Sequence, residues 1–134
     1  MKRTLLLGLS TLVAAALFAL SANAGEKAKD ADLGKVRHVV LFKFKDSATA
    51  AQVKEVEDAF RALPAKIPQI VGFEWGTNMS PEKLDQGFTH CFLLTFRTAK
   101  DRDDYLPHPA HKAFGKVLRP HLDKVLVVDF VAKD

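Results

Sequence analysis

Residues 37–45 read RHVVLFKFK, and their side chains alternate in the manner of a β-strand. One face carries His38, Val40, Phe42 and Phe44, and the opposite face carries Val39, Leu41 and Lys43. The stretch therefore predicts a strand with two largely apolar faces, from which the rest of the fold can be worked out.

The elements that follow this strand alternate between helical and extended patterns. Thr49-Ala50-Ala51-Gln52 matches the capping box, so it predicts the start of a helix that ends at Pro64. The inward residues of that helix are Val53, Val56, Phe60 and Leu63. Further strands are expected at 70–77, 88–97 and 125–131, with a short helix at 98–106. Pro109 can begin another helix, which would carry Ala110, Phe114, Leu118 and Leu122 inward.

This order, β-α-β-β-α-β, predicts an α+β fold of the ferredoxin-like type. Right-handed crossovers place the helices on one side of a four-stranded sheet and leave the other side uncovered. The expected apolar residues of the uncovered side are Val39, Leu41, Cys91, Leu93, Val125 and Val127. Exposure of such an apolar patch to water is unfavourable, so we expect a homodimer whose sheets pack face to face into a dimeric α/β barrel.

The N-terminal region has the pattern of an export signal. Lys2 and Arg3 precede an apolar stretch at 5–20, and Ala22-Asn23-Ala24 is a small-x-small cleavage site. We expect a signal peptide at 1–24, cleaved after Ala24, a disordered leader at 25–35 and one folded domain at 36–133. The expected location is periplasmic or secreted, and no later apolar run approaches the roughly 20 residues of a membrane span.

Charge and cysteine content argue against nucleic acid and membrane partners and exclude an internal disulfide. Residues 1–24 hold two of the 20 basic residues and no acidic one, so the remaining 110 residues have a net charge of +2. That even mixture predicts neither nucleic acid nor a membrane surface as a partner. Cys91 is the only cysteine, which excludes an internal disulfide. Its apolar neighbours favour a buried small side chain over a reactive thiol.

Two of the five histidines occupy similar places in the pattern. His38 and His90 each come early in a strand and head an apolar row that faces the helices. If the two strands are adjacent at the centre of the sheet, the imidazoles could approach each other at one end of an apolar layer. The alternative for each is a hydrogen-bonded histidine of the core.

Residues 105–111, YLPHPAH, carry the second group of candidates. Tyr105 and His111 are six positions apart and would diverge on one helix, but the intervening prolines allow a turn that joins them. His108 then falls near the N-cap and His111 in the first helical turn, where the helix dipole favours a neutral imidazole suited to act as a general base. Tyr105, the only tyrosine, could hold a carbonyl oxygen or oxyanion. The alternative is a packed loop with a capping histidine.

Metal and cofactor sites are not expected. His108 and His111 lack the i, i+4 spacing of a helical zinc pair, and no cysteine or carboxylate accompanies them as a third ligand. Nucleotide-binding loops and the serine hydrolase elbow have no counterpart in the sequence.

Three segments together resemble the stress-responsive α/β-barrel (Dabb) family: residues 37–45, residues 87–90 (GFTH) and residues 105–111. The likeness runs from about Val36 to Lys133 and implies a dimeric α+β barrel. Most members of the family have no established activity. In a plant polyketide cyclase of the family, a histidine is the general base of a cofactor-free aldol cyclisation and a tyrosine assists it. The resemblance implies those roles for His111 and Tyr105, with His38 and His90 in support.

The resulting hypothesis is a cofactor-free enzyme, or binding site, for a small, partly apolar, ketone-like ligand. The expected ligand-binding residues are His38, His90, Phe60, Phe92 and Leu122, with His111 and Tyr105 as the catalytic pair. The main alternative is a non-catalytic homodimer that encloses a ligand in a phenylalanine-rich cavity. An oxygenase of similar barrel architecture is a weaker third possibility, because it depends on analogy of fold alone.

Overall fold

A computed structural model of the chain describes residues 32–133. Residues 34–134 form one unit, and the predicted signal peptide at 1–24 and leader up to residue 31 lie outside the described residues. The elements are β1 (Val36–Phe44), α1 (Ala50–Arg61), β2 (Ile70–Thr77), β3 (His90–Phe96), α2 (Ala99–Tyr105), α3 (Pro109–Leu118) and β4 (Leu122–Val131).

The strands form a four-stranded antiparallel sheet in the order β2-β3-β1-β4. β1 lies inside the sheet and pairs with both β3 and β4. The core residues of all three helices pack together with the residues of one face of this sheet. The expected ferredoxin-like α+β fold is therefore confirmed.

Local side-chain contacts explain where two of the helices begin. At α1 the Thr49 hydroxyl accepts a hydrogen bond from the Gln52 N–H at 3.3 Å, and the Gln52 side-chain oxygen accepts one from the Thr49 N–H at 2.9 Å. This reciprocal pair is the expected capping box. At α3, His108 is the N-cap and Pro109 the first helical residue, and His108 Nδ1 accepts from the Ala110 N–H at 3.1 Å. Both predicted helix starts are confirmed.

The core lies between the sheet and the helices and is rich in aromatic rings. Its fully buried large side chains are Phe42, Phe60, Leu63, Ile67, Phe92, Leu94, Phe96 and Tyr105, together with the smaller Val56. Phe42 of β1 is in ring contact with Phe60 of α1, Phe92 of β3 and Phe114 of α3. This cluster joins the helical layer to the middle of the sheet.

The expected extension of the last helix to Leu122 is wrong. α3 ends at Leu118, and Leu122 is the first residue of β4. Arg119 still has helical backbone angles and donates to the Gly115 carbonyl, but Pro120 has no N–H for a further helical bond. The chain turns there instead, and the His121 N–H donates to the Leu118 carbonyl at 3.0 Å.

The expected facing of β4 is also wrong. Val125 pairs with Phe42 and Val127 with Val40, so both valines lie on the helix side, because paired residues of an antiparallel ladder share a face. The open side of β4 carries Leu126, Val128 and Phe130, which are 41%, 50% and 48% exposed. Residues 125–128 are all apolar, so the sequence has no polar–apolar alternation that would show which side chains of β4 face the helices.

Two further expectations need correction at residue level. Cys91 is exposed rather than buried, because it lies on the open side of the sheet opposite Leu41. Gly34 and Lys35, assigned to a disordered leader, are held to the end of the sheet. The Gly34 N–H donates to the Ala132 carbonyl at 3.0 Å, and the Ala132 N–H donates to the Lys35 carbonyl at 2.9 Å. None of the helices within residues 32–133 has the length and apolarity needed to cross a bilayer.

Candidate functional site

A cavity of about 200 Å³ lies on the helix side of the sheet, next to β1 and β4. Its lining is mostly apolar: Val40, Phe42, Phe60, Leu106, Phe114, Leu118, Val125 and Val127. Three further side chains, His38, Tyr105 and His111, supply its polar groups. The cavity therefore combines a hydrocarbon-like wall with a small cluster of hydrogen-bonding groups, as is typical of small-molecule sites.

Tyr105 lies at the centre of the polar cluster. Its ring centroid is 4.3 Å from that of His111 and 5.7 Å from that of His38. The side chain is fully buried, and this burial raises the pKa of the phenol above its usual value. The hydroxyl therefore stays protonated at neutral pH, where it can donate a hydrogen bond to an oxygen of a bound ligand.

The turn between α2 and α3 brings His111 to Tyr105. α2 ends at Tyr105, and the His108 N–H donates to the Tyr105 carbonyl at 3.1 Å before α3 begins. The predicted turn is therefore present. His111 Nδ1 lies 2.9 Å from the Leu106 carbonyl oxygen, which can only accept, so Nδ1 carries the proton. In the neutral ring, Nε2 then holds the lone pair and can act as a base.

His38 reaches the same cavity from β1 and is kept uncharged. Its Nδ1 lies 2.6 Å from Asp129 Oδ1, so the imidazole donates to this carboxylate and leaves Nε2 as an acceptor. The pKa of His38 is lowered from 6.5 to about 4, chiefly by burial and in part by the nearby charges of His111 and Arg102. Arg102 also forms an ion pair with Asp129.

Neither Asp129 nor Arg102 was identified from the sequence. One signal was present, because Asp129 is an acidic residue inside the apolar run VLVVDFV. An acidic side chain there requires a partner, and the register pairs Asp129 with His38. Arg102 lies among charged residues of α2, and only the tertiary structure distinguishes it from them.

The structure does not bring His90 to this cavity. β1 and β3 are antiparallel, so His90 pairs with Phe42 while His38 pairs with Leu94. Two residues that both come early in antiparallel strands lie at opposite ends of the sheet, and the expected approach of the two imidazoles is wrong. His90 instead has Glu57 Oε1 2.9 Å from Nε2 and Thr89 Oγ1 2.8 Å from Nδ1.

The apolar residues expected to bind a ligand are divided between the cavity and the core. Phe60 borders the cavity. Phe92 is fully buried in the aromatic cluster and stacks on Trp75 at 5.7 Å between centroids, so it does not line the cavity. Leu122 packs against the core and does not line the cavity either.

A larger hollow of about 530 Å³ adjoins the loop at 78–89 and the open side of the sheet. Leu41, Cys91 and Leu93 form its sheet wall, and Trp75 and His90 also border it. It includes neither Tyr105 nor His111, and both ring nitrogens of His90 already have protein partners. The smaller cavity is therefore the better candidate for chemistry.

Metal ligation has no geometric support in the described part of the chain. Within residues 32–133, no group of three or more histidine, cysteine, aspartate or glutamate side chains is arranged to hold a metal ion. The groups at the cavity are suited instead to proton transfer and hydrogen bonding, with a neutral imidazole as base and a phenol as donor.

The family of the chain follows from a comparison with known protein families. The model of the stress responsive A/B barrel domain (Dabb) matches residues 36–132. The chain belongs to this family. The match includes every strand and helix described above, so both the sheet and the cavity are parts of the family domain.

Two curated relatives are similar over the whole domain. The stress-response A/B barrel domain-containing protein HS1 of Arabidopsis thaliana is 38% identical over 97 residues, covering 72% of this chain and 89% of the relative. Olivetolic acid cyclase of Cannabis sativa is 34% identical over 98 residues, covering 73% of this chain and 97% of the relative. The family thus has a member named as a cyclase and a member named for the domain alone.

A solved structure from Bacteroides fragilis gives the same fold. It is described as a dimeric protein of unknown function with a ferredoxin-like fold. It is 33% identical to this chain, with a TM-score of 0.62, and the match covers 74% of this chain and 97% of that one. The fold found here therefore occurs in a dimeric relative.

Proposed function

We propose that the chain is a cofactor-free enzyme that removes a proton next to a carbonyl group of a small ligand, with His111 as base and Tyr105 as hydrogen-bond donor. The observation that carries this proposal is the meeting of His111, Tyr105 and His38 at one apolar cavity. The relation to a cyclase supports the same chemistry.

The proposed step begins with the neutral His111. Its Nε2 takes the α-proton of the ligand, and the electrons of that C–H bond form the carbon–carbon double bond of an enolate. The developing charge on oxygen is stabilised by the hydroxyl of Tyr105. The Leu106 carbonyl, already bonded to Nδ1, stabilises the imidazolium that results. In a cyclisation, the enolate carbon then attacks a second carbonyl, whose oxygen receives the proton back from His111.

The cavity favours an uncharged ligand of modest size. Its wall is formed by aromatic and aliphatic side chains, which disfavour a charged group that lacks a partner. Arg102, whose charge acts on His38, is paired with Asp129. At about 200 Å³, the cavity is smaller than the usual range for drug-sized ligands, about 300–1,000 Å³. A β-dicarbonyl compound with a short alkyl or aryl substituent fits both properties, and its acidic α-proton needs no metal.

The test uses 1-phenylbutane-1,3-dione as a probe in D₂O, with the α-proton signal followed by NMR. The wild-type domain is expected to exchange deuterium into the probe faster than buffer does, and His111→Ala should lower the protein-dependent rate by about 10²–10⁴-fold. His121→Ala is the matched control, because His121 lies outside the cavity. A protein-dependent rate that is equal in wild type and His111→Ala would contradict the proposal.

A non-catalytic role is the second candidate, and the apolar lining favours it. Phe42, Phe60 and Phe114 would hold an apolar ligand whether or not the histidine reacts. In that case the probe should bind wild type and His111→Ala with similar affinity by native mass spectrometry, and neither protein should accelerate deuterium exchange.

We also propose that the domain is a homodimer formed through the open side of its sheet. The half-exposed Leu126, Val128 and Phe130 on that side and the dimeric state of the related structure support this assembly. Sedimentation of the domain at micromolar concentration should give twice the monomer mass. Val128→Asp places a charge in the proposed interface and should shift the protein towards monomer, whereas Lys54→Asp on the exposed surface of α1 should not. A wild-type monomer would refute the dimer.

Export is proposed from the N-terminal sequence pattern at residues 1–24. We expect a periplasmic or secreted protein whose mature form begins at Gly25. N-terminal sequencing of the protein after cell fractionation tests this. A full-length chain that begins at Met1 in the cytoplasmic fraction would overturn the proposal.

A further inference from the structure

Three charged or titratable side chains form a line from α2 to the cavity. Arg102 of α2 pairs with Asp129 of β4 through Nη1 and Oδ2. The other carboxylate oxygen of Asp129 lies 2.6 Å from Nδ1 of His38 in β1. Arg102 is in turn held by Asp103, whose carboxylate accepts from Nε at 2.9 Å. One carboxylate therefore stands between a guanidinium and a histidine that borders the cavity.

We infer that Arg102 is a positioning residue: by pairing with Asp129, it lets this carboxylate fix the orientation of the His38 ring without drawing a proton onto it. His38 then offers the cavity an uncharged ring with Nε2 as a hydrogen-bond acceptor. The inference rests on the proposed function only in assuming that a ligand occupies the cavity.

The physical reason lies in how a carboxylate acts on a nearby imidazole. A carboxylate alone at hydrogen-bonding distance would favour imidazolium, which has no acceptor nitrogen. The charge of Arg102 offsets that of Asp129 while both oxygens of the carboxylate stay engaged, one with each partner. Arg102 thus allows Asp129 to orient the His38 ring through a hydrogen bond while the ring stays neutral.

The groups that face His38 come from every element packed against it. Tyr105 of α2 and Phe96 of β3 contact the ring through their edges or faces and carry no charge at neutral pH. His111 of α3, when protonated, opposes a charge on His38, and Arg102 does so permanently. Asp129 is the one group among these that favours a charge on the ring. The protonation of His38 should therefore depend on whether Asp129 remains paired.

The experiment follows the imidazole nitrogens of His38 by NMR in the ligand-free, ¹⁵N-histidine-labelled domain between pH 7.5 and 4.5. In wild type, the neutral His38 should carry its proton on Nδ1, and most of the rings should stay neutral over this range, because the pKa of about 4 lies below it. In Arg102→Gln, the pKa of His38 should rise by about 1–3 pH units, because the Asp129 charge is no longer offset. Lys100→Gln is the matched control, since it breaks an ion pair on the same helix away from the cavity and should leave His38 unchanged.

Two further variants keep the inference falsifiable if Arg102→Gln does not fold. Arg102→Lys retains the charge and should keep the pKa of His38 close to that of wild type. Asp129→Asn removes the negative charge but can still accept from Nδ1, so His38 should stay neutral with the same tautomer. A wild-type ring protonated on Nε2 would overturn the inference, as would a His38 in Arg102→Gln that titrates as in wild type.

The proposed function can fail independently of this inference. The NMR titration needs no ligand or turnover, so it tests the role of Arg102 even in a non-catalytic protein. If the probe exchange is absent while the titration gives the expected shift, the enzyme proposal falls and the positioning role stands. If the exchange depends on His111 but the titration shows no shift, the positioning role alone is refuted.

Discussion

The two buried histidines of the sheet share a face but have different surroundings. His38, 5% exposed, has a protein partner at Nδ1 and borders a cavity. His90, 8% exposed, has a partner at each ring nitrogen, Glu57 and Thr89, and packs against Phe44 at 5.0 Å between centroids. Both are satisfied as buried polar groups, but only the first keeps a nitrogen that can serve a ligand.

This difference shows that the position of a histidine in a strand pattern does not decide its role. At the His90 end, the rings of Trp75, His90 and Phe92 lie nearly parallel, with interplanar angles of 9° to 16°, and the hollow beside them meets a histidine whose two nitrogens both have protein partners. At the His38 end, α2 and α3 meet at a turn, and the cavity lies between this turn and the sheet. We therefore expect changes at the His90 end to affect stability alone and changes at the His38 end to affect ligand binding as well.

The largest effect is expected where the two ends meet. Phe42 borders the cavity and is the register partner of His90. Phe42→Ala should lower the free energy of unfolding by about 3–5 kcal/mol and enlarge the cavity towards the His90 end. Urea denaturation measures the first effect, and crystallography under xenon pressure the second. Phe42→Leu, which keeps most of the volume, should cost less than about 1.5 kcal/mol, and an equal loss in both variants would contradict this account.

The next largest loss of stability is expected at low pH and comes from His38. The pKa of His38 is about 4 in the folded protein against an ordinary value of 6.5. Between these values the unfolded chain binds a proton at His38 that the folded chain does not. The contribution of His38 to the unfolding free energy is therefore complete above pH 6.5 and is lost as the pH falls to 4. We expect His38 to account for a fall of about 3 kcal/mol in unfolding free energy over this range.

The measurement is urea denaturation at several pH values for wild type and His38→Gln. The variant lacks the titrating ring, so its stability should fall less steeply between pH 6.5 and 4. Parallel curves for the two proteins would mean that His38 is not held neutral by the fold.

Loss of the imidazole at the other end should have a moderate effect on stability alone. His90→Ala leaves the Glu57 carboxylate and the Thr89 hydroxyl without their shared partner and opens a gap beside Phe44. The free energy of unfolding should fall by about 2 kcal/mol. Probe binding in the cavity, followed by NMR, should be unchanged. Weaker binding of the probe to the folded variant would show that the His90 end influences the cavity and would contradict this account.

The smallest effect is expected for Arg61, whose guanidinium lies 5.7 Å from the centre of the Trp75 ring. This contact is at the surface of the His90 end, so Arg61→Gln should cost about 0.5 kcal/mol in thermal or urea unfolding. The deuterium exchange of the probe should match wild type. A change in exchange without a change in stability would show that the surface of this end influences the cavity.

The order of strands and helices could be predicted from local signals. The capping box at Thr49 and the proline at 109 each fix a helix start through contacts within four residues, and the structure confirms both. The meeting of Tyr105 and His111 was also predictable, because prolines constrain the turn between them. The family match over residues 36–132 agrees with these signals.

The arrangement of side chains across strands could not be predicted in the same way. The strand pattern predicts that His38 and His90 lie together, because each comes early in its strand, but antiparallel pairing reverses one of the strands. The facing of Val125 and Val127 depended on a register that an all-apolar run does not specify. Arg102 and Asp129 are 27 positions apart, and only the packing of α2 against the sheet brings their charges together.

The pairing of β1 with β4 also has a consequence for how the chain folds. β1 is completed at residue 44, yet one of its two neighbours is formed by residues 122–131. Contacts between such distant parts of a sequence form slowly, because the long intervening loop must close first. During synthesis, β1 can pair with β4 only after residues 122–131 have left the ribosome, so the sheet cannot be completed before that point.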